Sequence, residues 1–154
     1  MTASSSSTTA ELPLHEAVRN NDITTIQHLL STSTSSTTTT TTNQIINAQD
    51  ENGITPLIEA CISGNIQIVH LLLNAGCPAQ PKPGFRHSPL RGATVCGNHH
   101  LIPLLLKSGA DPNAASDGNR TPLMGACFLR RGVVVDEDEN EKSVLCVKAL
   151  LEDE

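Results

Sequence analysis

The chain has 154 residues and a formal charge of −6 at pH 7, with ten Lys and Arg against sixteen Asp and Glu. Two Phe, no Trp and no Tyr leave the core to Leu, Ile, Val and Ala, which favours closely packed helices over a sandwich or barrel. No basic stripe or set of stacking aromatics points to nucleic acid, and no apolar run is long enough to span a membrane.

Residues 1–10, "MTASSSSTTA", lack the basic and apolar regions of a secretory signal and read as a disordered Ser/Thr tail. The five cysteines, at 61, 77, 96, 127 and 146, are odd in number and form no C-x-x-C pair. They read as reduced thiols of a cytoplasmic or nuclear protein and not as a disulfide framework.

From residue 11 the chain is repetitive. "LPLHEAVRNNDITTIQHLL" at 12–30 is followed by the run "STSTSSTTTTTT" at 31–42, a flexible insertion of the kind that loop entropy tolerates. "TPLIEACISGNIQIVHLLLNAG" at 55–76 then aligns without a gap with "SPLRGATVCGNHHLIPLLLKSG" at 88–109. "TPLMGAC" at 121–127 opens a fourth copy, which resumes as "VLCVKALL" at 144–151 after an insertion at 131–143. Pro56, Pro89 and Pro122 recur at intervals of 33 residues, a period that marks a stacked repeat. The copies fall at about 11–49, 50–82, 83–115 and 116–154.

Each copy has a physical logic. Thr55, Ser88 and Thr121 can cap a helix through the side-chain hydroxyl, and the following Pro suits the first helical position. Leu57 and Ala60, Leu90 and Ala93, and Leu123 and Ala126 fall on one inner face, where Ala lets a neighbouring helix come close. Gly64 and Gly97 supply left-handed turns, and Gly76 and Gly109 end a second, apolar helix. Polar stretches such as "AQDENGI" and "AASDGNR" fit hairpin-like connections.

The period and the phased T/S-P-L motifs resemble the ankyrin repeat family, a resemblance that spans residues 11–154 apart from the two insertions. It implies an all-α solenoid of helix-turn-helix repeats joined by hairpin-like loops, with hairpin tips and first helices lining a concave binding surface. Matched position by position, that surface would include Glu51, Asn52 and Ile54, then Phe85 and His87, then Asp117 and Arg120 on the hairpins. The first helices would add Ile62 and Ser63, Val95 and Cys96, and Phe128 and Leu129, with Ile62, Val95 and Phe128 forming an apolar stripe. "LLKSGADPN" also resembles the acceptor of hairpin-asparagine hydroxylation, with Asn113 as the target.

The sequence departs from the family pattern in several places. Leu12 replaces the capping Thr, which removes the usual partner of His15. Pro103 interrupts the second helix of copy three, and copy four lacks the Gly after its first helix. Copies one and four are therefore expected to be irregular.

The stretch "VCGNHH" at 95–100 has metal-ligand residue types in an unsuitable pattern. Adjacent His99 and His100 on a helix point about 100° apart and do not converge on one ion. Cys61 and Cys127 are expected to be small core residues, and the acidic run 136–141 a solvated loop. No catalytic, cofactor or metal set emerges. The function expected is a non-catalytic scaffold or adaptor that binds another protein on its concave face. The alternative is a regulatory or substrate-recruiting subunit, or a fragment, of a larger enzyme. An apolar, uncapped fourth repeat further suggests self-association.

Overall fold

The computed structural model describes residues 12–32, 44–80, 87–116, 118–128 and 137–152. The elements are α1 (Pro13–Arg19), α2 (Ile23–Thr32), a single helical turn at 44–46, α3 (Pro56–Ser63), α4 (Ile66–Asn74) and α5 (Pro89–Val95). A 3-10 turn (His99–Leu101) then leads into α6 (Ile102–Lys107), and α7 (Pro122–Phe128) and α8 (Glu137–Leu151) complete the described chain. The first helices pack in sequence as an inner row, α1 on α3, α3 on α5 and α5 on α7. In the second row α2 meets α4 and α6 meets α8. This is an all-α repeat solenoid.

The caps form where the hydroxyls predict them. Thr55, Ser88 and Thr121 accept from the N–H groups of Ile58, Arg91 and Met124 at 3.2–3.4 Å. Leu12 offers no side-chain cap to α1, yet the helix forms, and Asp22 caps α2 by accepting from Thr25 N at 3.1 Å. Gly64 ends α3 at φ 78°, a conformation that only glycine adopts readily. A Cβ there would lie 2.8 Å from Asn98 Oδ1, so conformation and space both demand glycine.

The core is continuous along the stack. Leu14, Leu57 and Leu90 are about 1% exposed and Ala60, Ala93 and Ala126 fully buried. Ile68, Val69 and Leu72, with Leu101, Ile102 and Leu105, fill the space between the two rows.

Two expectations need correction. Pro103 does not interrupt its helix, because it falls in the first turn of α6, where its missing N–H is not needed. The acidic run is not a loop: 137–141 lies within α8, so part of the insertion lengthens the second helix of copy four. Within copy four, Ser143 Oγ donates to Ala126 O at 2.8 Å and satisfies a terminal carbonyl of α7.

Successive first helices meet through matched pairs. Arg19 reaches Glu59 at 3.4 Å. At the positions that correspond one and two repeats on, Ile62 faces Gly92 and Val95 faces Gly125, so a bulky side chain meets bare backbone. The two glycines differ in clearance. A Cβ at Gly92 would meet Ile62 Cγ1 at 3.4 Å, an ordinary contact, whereas one at Gly125 would lie 2.6 Å from the buried Thr94 Oγ1 and 3.1 Å from Val95 Cγ2. Gly92→Ala should therefore be neutral or stabilising by up to ~1 kcal/mol through helix propensity. Gly125→Ala should destabilise by about 1–3 kcal/mol through overpacking, and paired urea titrations will show whether the two variants move in these different directions.

Candidate protein-interaction surface

The hairpin of copy two is built around Asp50. Its Oδ1 accepts from Asn52 N and Ile54 N, each at 2.9 Å, and Asp50 N bonds Ile54 O at 3.0 Å. This Asx geometry presents Glu51 and Asn52 to solvent at the tip and leaves Ile54 half-buried. Copy four repeats the closure with Ser116, whose N–H and Oγ both donate to Arg120 O at 3.0 Å, leaving Arg120 exposed.

At the C-terminal ends of the first helices Ile62 is 39% exposed, Ser63 and Cys96 are exposed and Val95 is half-buried. Ile62 and Val95 thus divide their surface between the adjacent repeat and solvent. His87 is half-buried, and Asn113 is exposed with its N–H bonded to Asp111 Oδ1 at 2.8 Å. Phe85, Asp117 and Leu129 lie outside the described residues, as does the side chain of Phe128, whose backbone closes α7.

The charges on this side are unevenly compensated. Arg19 bonds Asp50 at 2.8 Å and also approaches Glu59. Burial of Asp50 raises its carboxyl pKa, but the N–H groups of Ile54 and Asn52 and the charge of Arg19 together outweigh it and hold the pKa below the usual carboxylate value. His15, 2% exposed, places Nε2 2.9 Å from Ile54 O. The loss of the capping Thr therefore did not leave His15 without a bond, because the next hairpin supplies a carbonyl. In copy three Arg91 Nη1 donates to His87 Nδ1 at 3.5 Å, and burial together with the charge of Arg120 lowers the Arg91 pKa.

The "VCGNHH" stretch links adjacent repeats. Asn98 Nδ2 donates to the carbonyls of Cys61 and Ile62 at 2.9 and 3.0 Å, and His100 Nε2 lies 3.1 Å from Gly64 O. Asn98 thereby satisfies terminal carbonyls of α3 and leaves its own helix without a side-chain cap, so that helix opens as a 3-10 turn. The rings of His99 and His100 stand at 90° with centroids 5.8 Å apart. Among the described residues no three His, Cys, Asp or Glu could share a metal ion.

Cys61 is fully buried, as expected, but Cys127 is exposed. Cys127 corresponds to Cys61 and Thr94, and Thr94 is covered by the following first helix at Gly125. No described first helix lies beyond α7 to cover Cys127. Burial pushes the Cys77 thiol up to about 12 and the Cys146 thiol up to about 11, and raises Cys61 and Cys96 as well. Such thiols stay protonated at neutral pH, unlike an activated nucleophile. A groove of about 480 Å³ between α6 and α8, lined by His99, His100, Lys107, Leu145 and Lys148 among others, was not visible in the sequence, because its two walls come from different repeats.

Two measurements follow from these environments. A maleimide dye should label Cys96 and Cys127 in the native protein and all five cysteines only in denaturant. Because the Asp50 pKa is depressed in the folded chain, its stabilisation is complete above the unfolded carboxylate value and is lost as pH falls through the folded one. The thermal midpoint should therefore fall as pH drops from about 5 to about 3, and Asp50→Asn should make that slope shallower.

A family model described as ankyrin repeats (3 copies) matches residues 14–116, about two-thirds of the chain. No curated protein matches the sequence. The matched span covers the caps, the inner Ala row and the hairpins of the first three copies, and α7 and α8 extend the same packing beyond it. The chain belongs to the ankyrin repeat family.

Proposed function

We propose that this ankyrin repeat protein is a non-catalytic scaffold or adaptor that binds another protein through its hairpin tips and the C-terminal ends of its first helices. Ankyrin repeats are in general protein-interaction modules. The observation that carries the reading for this chain is Ile62. The residue is 39% exposed although only one side of it packs on Gly92, and Ser63 and Cys96 flank it in the open. A large apolar side chain fixed by a rigid helix pair and rimmed by small polar groups loses little entropy on docking. Glu51, Asn52 and Arg120 supply a polar rim at the tips; by register Phe85 and Asp117 join the hairpin tips, and Phe128 and Leu129 the first-helix contacts. The regulatory-subunit reading would use the same surface.

A second apolar patch favours an additional contact at the end of the stack. Leu123 is 42% exposed and Met124 56%, while the corresponding Leu57, Leu90 and Ile58 are each about 1% exposed under a following repeat. Self-association would cover this patch.

Affinity capture from the source cell tests the concave-face assignment. Ile62→Gln with Cys96→Gln should lose the proteins that the wild-type chain retains. Ile66→Gln, on the exposed side of α4 at 43% exposure, should keep them. If the double variant retains the same proteins at wild-type yield, the surface lies elsewhere.

A further inference from the structure

The groove of about 480 Å³ on the second-helix row has a cause in the repeat register. "VLCVKALL" at 144–151 aligns with "HHLIPLLL" at 99–106 and "IQIVHLLL" at 66–73, so Ala149 stands where the earlier copies have Leu104 and Leu71. Both leucines are half-buried and pack against the core. Ala149 is half-buried as well, but its short side chain leaves space between α6 and α8 that a Leu would fill.

Two helical stripes wall this space. One is His99, His100, Pro103 and Lys107, and the other is Leu145, Lys148, Ala149 and Glu152. Residues at i, i+3, i+4 and i+7 share one helix face, and seven residues of helix span roughly 10 Å. Pro103, Leu145 and Ala149 give the lining its apolar part, while two Lys and two His stand against the single carboxylate of Glu152. Glu152 lies 3.6 Å from Lys148 in an exposed pair, a contact worth little in water. His100 is fixed by its contact with Gly64 O. The corresponding residues of α4, which are Ile66, Gln67, His70 and Asn74, include no Lys. In a chain of net charge −6 the groove is a cationic exception, and its charge is complementary to an anionic occupant. Shape narrows the choice further. Both walls are helical and offer no strand edge, so an extended segment would leave backbone groups unpaired against them. A helix bonds its own backbone and lays side chains at i, i+3, i+4 and i+7 into such a groove.

We infer that the groove between α6 and α8 docks an acidic amphipathic helix of a partner protein. Its apolar stripe covers Pro103, Leu145 and Ala149, and its carboxylates pair with Lys107 and Lys148. This surface lies on the second-helix row and stands independently of the concave-face reading above.

The test is fluorescence anisotropy with a fluorescein-labelled helical peptide that carries Leu at i, i+3, i+4 and i+7 and Glu on both flanks. Companion peptides replace every Glu by Lys, or place a Pro at the centre. The wild-type chain should bind the Glu peptide, with affinity that falls as salt rises. It should bind the Lys and Pro peptides at least about tenfold more weakly. Lys107→Gln with Lys148→Gln should also weaken binding at least about tenfold. Ala149→Leu restores the residue of the earlier copies and fills the groove, so it should cost a similar factor without lowering the thermal midpoint. Ile62→Gln with Cys96→Gln should leave the affinity unchanged, which separates this groove from the concave face. Absence of binding, or equal binding by wild type and the Lys double variant, overturns the site. Equal binding of the Pro peptide overturns the helical occupant. If sedimentation shows a wild-type dimer that Ala149→Leu converts to monomer, the occupant is a second copy and the partner helix falls.

Discussion

Close approach of the first helices is the constraint on which the rest of the molecule depends. Ala60, Ala93 and Ala126 are fully buried on the inner row, and any larger side chain there would push α3, α5 and α7 apart. Once that spacing is set, the residues flanking each Ala have a narrow choice. The residue before it faces the previous repeat and is Glu59, Gly92 or Gly125. The one that faces it from the previous repeat is correspondingly Arg19, Ile62 or Val95. An ion pair fills the first step and bulk against backbone fills the next two. The exposed part of Ile62 is a consequence of this matching, because a side chain long enough to cover Gly92 extends past it.

The repeat frame was legible in the sequence because it rests on local chemistry. Hydroxyl caps followed by Pro, left-handed glycines and an Ala three residues after each Leu act within one helix or turn, and each formed as the spacing required. Several of the misread features depend on contacts between repeats. His15 finds a carbonyl 39 residues away, which no motif within its own copy could reveal. Asn98 occupies the cap position of its helix, where Asn65 does cap by accepting from Gln67 N and Ile68 N, yet Asn98 turns back to α3 instead. That choice explains the 3-10 turn and makes room for Pro103 in the first α-helical turn. Cys127 was misplaced for a related reason: its register is that of a core residue, but burial at that position comes from the following repeat.

Of the candidate surface, the register was legible and the energetics were not. Period alone placed Ile62, Val95 and the hairpin tips in series. It could not show that Val95 is partly used up against Gly125 while Ile62 remains 39% exposed. Nor could it show that the charge of Arg19 is paired within the chain with Asp50 and Glu59. A lone Arg in a sequence reads as a solvated charge, and only the stacking of one hairpin against the preceding helix brings Arg19 to Asp50.

The three inter-repeat steps therefore differ in kind: the first carries the Arg19–Glu59 ion pair and the His15–Ile54 hydrogen bond, and the next two set a bulky side chain against glycine. In a repeat protein stability is close to a sum of intrinsic repeat terms and nearest-neighbour terms, so an unfavourable term at one step lowers the coupling of everything beyond it. Here what lies beyond is copy four. Its first helix α7 packs on α5, with Val95 against Gly125, while α8 packs on α6 in the second row. Within the copy, Ser143 Oγ donates to Ala126 O and ties the end of α7 to α8. The two helices of copy four are thus joined to each other as well as to copy three, and a change that opens the Val95–Gly125 step loosens both.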